Sequence, residues 1–276
     1  MRNARFWFLA PARLVALCLL AAPLVIVAAY SLLTRGVYGG QSRPLTLESY
    51  SRLADLLYFG IALKSLLIAL AATLICLVLA FPLALFIARS GRRRNWYLHL
   101  VMLPFWTSFL VRTYAWMFLL RDTGLINTIL AGVGAIAEPL PLLYNDGAVV
   151  LGLVYGYLPF MVLPIYATLE RMDTALEEAA ADLGARPWVA LATVTLPLTR
   201  PGMIAGSVLV FIPSLGAYLT PDLLGGGKST LIGNVIQQQF TSARDWPFGS
   251  AISLVLMMLV LAAVTWLLRR QKGEFS

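Results

Sequence analysis

Residues 170–201 read ERMDTALEEAAADLGARPWVALATVTLPLTRP. The stretch is polar, yet local rules give it a definite shape. Thr174 with Glu177 three residues on fits a capping box, with Thr174 as the N-cap of a helix. Ala175 to Leu183 are strong helix formers. Gly184 suits the left-handed residue that ends such a helix, and Pro187 suits the first position of a second one. The spacing therefore predicts a short helix, a sharp turn and another helix. So short a helix is not stable alone. It must pack on the rest of the chain or on another polypeptide.

On both sides of this stretch the chain turns apolar. The 276 residues are 60% hydrophobic and 12% charged, and the charge is about half that of a soluble domain. A bilayer-spanning helix needs about 20 apolar residues. Blocks of roughly that length recur at 14–33, 65–88, 98–120, 148–169, 203–219 and 250–268. They predict an all-α membrane protein, one transmembrane domain over 1–276 with six spans, and a loop at 171–200 between the fourth and fifth. The first block is longer than a typical signal sequence and shows no clear cleavage pattern, so it reads as a retained span.

Charge sets the expected orientation. With the N-terminus inside, the inner segments hold Arg2, Arg5 and Arg13; Arg89, Arg92, Arg93 and Arg94; Arg171, Arg186 and Arg200; and Arg269, Arg270 and Lys272. These are 13 of the 21 basic residues, in the shorter share of the non-membrane chain. The positive-inside rule then places both termini in the cytoplasm. The net charge of +8 reflects topology, and nucleic-acid binding is not needed to explain it. Cys18 and Cys76 lie inside apolar blocks and read as packing residues. His99 has no Cys or carboxylate cluster at ligand spacing, so no metal site is expected.

Pro82, Pro104, Pro159, Pro164 and Pro213 fall inside the spans. Each removes a backbone donor and kinks or opens its helix. Together they point to a bundle around a polar path. Arg112 lies in the third block, about 12 Å from its outer end at 1.5 Å per residue. Such an arginine faces a cavity or partner, or it snorkels to the headgroups.

Glu178-Ala179-Ala180, three residues, Gly184, nine residues, Val194, one residue and Leu196-Pro197 resemble the EAA loop of ABC-importer permeases; Val194 stands where the family more often has Ile. The resemblance runs from about the second span to the sixth. It implies a type I ABC importer permease fold, six transmembrane helices and a cytoplasmic coupling helix docking into a groove on a separate ATPase. The implied coupling residues are Glu177, Glu178, Ala179, Ala180, Asp182, Leu183, Gly184, Ala185, Arg186 and Pro187. Two further stretches, LPFWTSFLVRTYAWMFLLRDTGLIN (103–127) and LGAYLTPDLLGGGKSTLIGNVIQQQF (215–240), resemble the spermidine/putrescine permeases. Importers of iron, thiamine, aminophosphonates or amino-acid-like solutes share parts of them. The implied partners are a second, similar permease subunit, two ATPases holding ATP and Mg, a periplasmic solute-binding protein and the lipid bilayer. The implied location is a bacterial inner membrane. No catalytic residue and no cofactor is expected in this chain.

Residues 223–230, LLGGGKST, look like a phosphate-cradling loop. The pattern needs a glycine at 222, where this chain has Asp222. No strand precedes the glycines. The stretch reads instead as an external turn whose glycines let backbone approach closely. The resemblance implies that this region, with Asp222, Gly225, Gly226 and Gly227, dips back as a gate or meets the solute-binding protein, and Trp106, Arg112, Tyr114, Tyr157 and Tyr218 are candidates for the path. An ion-coupled secondary transporter would use carboxylates inside the spans or a repeat with discontinuous helices, and the spans lack internal carboxylates. An intramembrane protease would need a Ser–His or paired-Asp site, and a plain channel would pass solute without ATP.

Overall fold

The computed structural model describes residues 2–274, with side chains for residues 15, 17–266 and 269. The side chains of Arg2, Arg5, Arg13, Arg270 and Lys272, which flank the terminal spans, lie outside those described. The described residues begin with α1 (Arg2–Ser31), an antiparallel ribbon of β1 (Leu33–Arg35) and β2 (Gln41–Leu45), and α2 (Glu48–Leu53). They continue with α3 (Leu56–Arg89), α4 (Arg94–Met102), α5 (Phe109–Leu120), α6 (Leu125–Gly132) and α7 (Asp146–Glu170). The described residues end with α8 (Ala175–Asp182), α9 (Pro187–Ala190), α10 (Leu196–Leu215), α11 (Leu219–Gly225), α12 (Ile232–Phe240) and α13 (Trp246–Glu274). Among the described residues four helices are long and apolar enough to cross a membrane: Leu56–Arg89, Asp146–Glu170, Pro187–Leu215 and Trp246–Trp266. Leu17–Ser31 is a shorter apolar helix.

The block at 98–120 is not one continuous helix. After α4 a 3-10 turn covers Leu103–Trp106, and Thr107 and Ser108 are extended before α5 begins. Pro104 cannot donate a backbone hydrogen bond, which weakens the ladder here. Thr107 Oγ1 donates to the Pro104 carbonyl at 2.7 Å, so the break satisfies part of its own backbone. The fifth block also starts earlier than expected. A π turn at Leu191–Thr195 joins α9 to α10, giving one helical run from Pro187 to Leu215.

The chain divides into two compact units, Met1–Gly60 with Val235–Ser276, and Ile61–Asn234. In the first, Asp245 is 2% exposed and pairs with Arg52 at 2.8 Å. Asp245 also accepts from the Phe248 N–H, capping α13, while the Arg52 guanidinium lies 4.1 Å from the Phe248 ring centroid.

The second unit holds the main core. Ala72, Cys76, Ala80 and Ala84 recur every four residues along α3 and are fully buried. That stripe belongs to one cluster with Leu153, Met161, Val162 and Ile165 of α7. The Cys76 thiol donates to the Val154 carbonyl at 3.7 Å. α7 and α10 come closer still. A Cβ on Gly202 would meet the Pro164 carbonyl oxygen at 2.6 Å, and one on Gly206 would meet Met161 Sδ at 2.7 Å. Small residues allow this approach where lipid offers no hydrophobic drive between helices.

Candidate functional site

Two polar turns and one cleft gather most of the residues singled out above, and all lie in the unit 61–234. The first turn is the α8 segment. Gly184 adopts φ +83°. Its N–H donates to the Ala181 carbonyl at 2.8 Å, and the Ala185 N–H reaches back to Ala180 at 3.0 Å. This is the Schellman closure expected of a left-handed cap. Arg186 is the N-cap of α9, and Pro187 lies in its first turn.

The start of α8 departs from the capping box. Thr174 is already helical (φ −63°, ψ −25°) and makes no side-chain cap bond. Asp173 Oδ1 accepts from the Ala175 N–H instead, at 3.0 Å. Glu177 does not reach back along its own helix. Arg89 Nη2 donates to both of its carboxylate oxygens at 2.8 and 2.9 Å, and Thr195 Oγ1 donates to Oε1 at 2.5 Å. An ion pair this exposed contributes about 0–1 kcal/mol to stability. Thr195 is fully buried, and leaving its hydroxyl unpaired would cost about 1–3 kcal/mol. Glu178, Ala179, Asp182 and Leu183 face outward. Leu183 is 89% exposed and Trp188 66%, so α8 and the turn into α9 present an uncovered, partly apolar face.

The second turn is the glycine-rich segment, at the other end of α7. That helix has 25 residues, about 37 Å at 1.5 Å per residue. Its last residue, Glu170, pairs with Arg94 at 3.0 Å, while its first, Asp146, pairs with Lys64 at 2.8 Å. The Ser229 hydroxyl also donates to Asp146, and Lys64 Nζ reaches the Lys228 carbonyl at 3.3 Å. A helix, α11, precedes the glycines, where a phosphate loop would follow a strand. Gly226 takes φ +54° as the cap of α11, and a Cβ there would fall 2.1 Å from the Tyr144 ring. Asp222 is exposed in the first turn of α11.

The cleft has a volume of about 310 Å³ and is walled by the aromatic rings of Phe109, Tyr157 and Tyr218, with Pro213 and Thr220. Tyr157 and Tyr218 thus come together. Tyr114 and Trp106 do not line it; Trp106 is 73% exposed on the 3-10 turn. Arg112 lies beside it, its guanidinium 5.8 Å from the Phe109 centroid and 5.9 Å from that of Phe105. Arg112 Nε and Nη1 are buried with no hydrogen-bond partner among the described residues.

The family model for binding-protein-dependent transport system inner membrane components matches residues 80–271. The chain belongs to that family. This inner-membrane component is 43% identical over 247 residues to the spermidine/putrescine transport system permease protein PotB of Escherichia coli K12, covering 88% of this chain and 90% of that protein. It is 43% identical over 239 residues to PotB of Haemophilus influenzae, covering 86% and 84%. The molybdenum transport system permease protein ModB of Mycobacterium bovis is 32% identical over 197 residues, covering 71% and 72%. Among solved structures, the bacterial alginate ABC transporter in complex with an alginate-bound periplasmic protein superposes with a TM-score of 0.77. It is 19% identical and covers 95% of this chain and 93% of that one. The helical architecture is therefore that of an ABC-transporter permease.

Sequence reasoning missed Arg89 and Thr195 as partners of Glu177. Arg89 entered only as an inner-side charge, and Thr195 only as a residue between Val194 and Leu196. Phe109 was passed over because a phenylalanine in an apolar block carries no separate signal.

Proposed function

We propose that this chain is one permease subunit of an ATP-driven polyamine importer, taking spermidine or putrescine from a periplasmic binding protein. The observation that carries the reading is the 43% identity, across nearly the whole of both chains, to spermidine/putrescine permeases. The uncovered face of α8 supports a docking role. In this reading Glu178, Ala179, Asp182 and Leu183 enter a groove on a separate ATPase, and Gly184, Ala185, Arg186 and Pro187 hold the turn behind them. Two ATPases carry ATP and Mg, a second, similar permease completes the path, and both termini are cytoplasmic. ATP binding draws the coupling helices together and opens the path outward; hydrolysis resets it. This chain performs no covalent chemistry.

The aromatic cleft suits a cationic solute, because ammonium groups are drawn to ring faces. Arg112 beside it keeps the attraction weak, which suits passage over storage. Trp106, Tyr114, Asp222 and Gly225 to Gly227 are assigned to the path or its outer gate. The test is uptake of labelled spermidine into vesicles holding the assembled importer and its binding protein, with a panel of other solutes alongside. Spermidine-stimulated ATP hydrolysis and uptake are expected. Stimulation by an oxyanion in place of polyamines would leave the importer standing and overturn the substrate.

A further inference from the structure

Glu177 and Glu178 are sequence neighbours in opposite surroundings. Glu178 is exposed on the outer face of α8. The Glu177 side chain is 22% exposed and is held from two directions. Arg89, at the end of α3, donates to both of its oxygens, and Thr195, in the π turn ahead of α10, donates to one of them. We infer that Glu177 is a positioning residue that transmits motion, its carboxylate linking displacement of α8 to the end of α3 and to the π turn opening α10. This inference rests on the reading of α8 as the helix that docks on the ATPase.

Three segments far apart in sequence converge on this one side chain. The Thr195 hydroxyl is buried and spends its hydrogen on Glu177. The Thr195 carbonyl in turn accepts from the Thr199 hydroxyl at 2.9 Å, so the connection continues one turn into α10. The π turn is the place where the run from Pro187 to Leu215 leaves α geometry. Isolated π turns of this kind mark functional positions in many helices. If α8 moves with its bonds intact, Arg89 and Thr195 must follow. If the bonds break, a buried hydroxyl is left without an acceptor. Glu177 touches neither nucleotide nor solute in this scheme; it acts through its two partners.

The test uses the assembled importer in vesicles, with E177R, R89E, the E177R/R89E swap and E177Q. Two quantities are read: ATPase retained on the purified complex, and solute taken up per ATP hydrolysed with loaded binding protein. E177R is expected to keep the ATPase bound while lowering uptake per ATP roughly tenfold, within the range of a coupling free energy. The swap restores the pair in reverse and is expected to recover most of that ratio. An unchanged ratio in E177R, or a swap no better than either single variant, overturns the inference. So does a swap that restores only the amount of protein in the membrane, since the pair would then be merely structural. If E177R does not accumulate, E177Q is read by the same ratio, and no change there overturns it. Loss of the ATPase from E177R complexes would place Glu177 on the subunit interface instead. Failure of the unaltered chain to hold an ATPase would sink the docking reading itself, a separate outcome.

Discussion

The α8 turn and the glycine-rich turn are built from the same local device at opposite ends of α7. Each is a short helix closed by a left-handed glycine, Gly184 at φ +83° and Gly226 at φ +54°. Their surroundings differ. A Cβ on Gly184 would meet nothing within 4 Å, whereas one on Gly226 would enter the Tyr144 ring. Behind Gly184 the chain leaves Leu183 and Trp188 uncovered. Beyond Gly226 it closes on itself through Ser229, Asp146 and Lys64. One turn needs glycine for conformation alone and leaves its surface uncovered. The other needs glycine for space as well, and is clamped by its own chain.

The largest effect is expected at the open turn. Gly184→Pro fixes φ near −65° where the turn needs a positive value, and it removes the N–H that bonds Ala181. Uptake should be nearly abolished while the chain still inserts, as membrane fractionation would check. Gly184→Ala meets no clash and carries only the left-handed penalty of about 1–2 kcal/mol, so partial uptake should survive. Equal loss in both variants would break the claim that this turn needs only conformation.

Next comes the clamped turn. Gly226→Ala adds the left-handed penalty to a clash with an aromatic ring, about 2–5 kcal/mol together. Thermal unfolding of the purified chain in detergent should report it. Tyr144 itself carries φ +60°, so Tyr144→Gly in the same chain removes the obstructing ring and relieves a second strained residue. The double variant should recover most of the loss. No recovery would mean that the strain lies elsewhere.

A smaller effect is expected from Asp146→Asn. The amide oxygen still accepts from Ser229, but the charge facing Lys64 is gone. Both partners are more than a third exposed, so about 0.5–1 kcal/mol is at stake. The difference from the unaltered chain should shrink at high salt. A salt-independent difference would point to the hydrogen bond, with the charge playing no part.

What could be read from the sequence was local. Gly184 and Pro187 announce themselves because left-handed φ and a missing N–H belong to single residues. The capping box failed because Asp173 offered a nearer acceptor and Glu177 was drawn to Arg89, 88 positions away in the chain. The six apolar blocks were visible as composition. The break at Thr107 and Ser108 was not, since a hydropathy window weighs side chains and ignores backbone angles. The ribbon of β1 and β2 carries no long apolar alternation and was missed. Tyr157 and Tyr218 were flagged as aromatics in spans, but their meeting with Phe109 depends on how α5, α7 and the start of α11 turn toward each other.

The smallest effect is expected at Lys228, and it tests the comparison most directly. The letters GGGKS invite a nucleotide at this turn. In a phosphate loop the lysine ammonium would hold phosphates and the serine hydroxyl would face magnesium. Here the Ser229 hydroxyl is committed to Asp146, a carboxylate that would repel phosphate. Lys228 contributes hydrogen bonds through its backbone: its carbonyl accepts from Lys64 at 3.3 Å and its N–H donates to the Gly225 carbonyl at 3.2 Å. Lys228→Ala keeps that carbonyl. Stability should change by no more than about 0.5 kcal/mol, and the assembled importer should bind nucleotide as before. Weaker nucleotide binding in this variant would put the nucleotide on the clamped turn and erase the distinction between the two ends of α7.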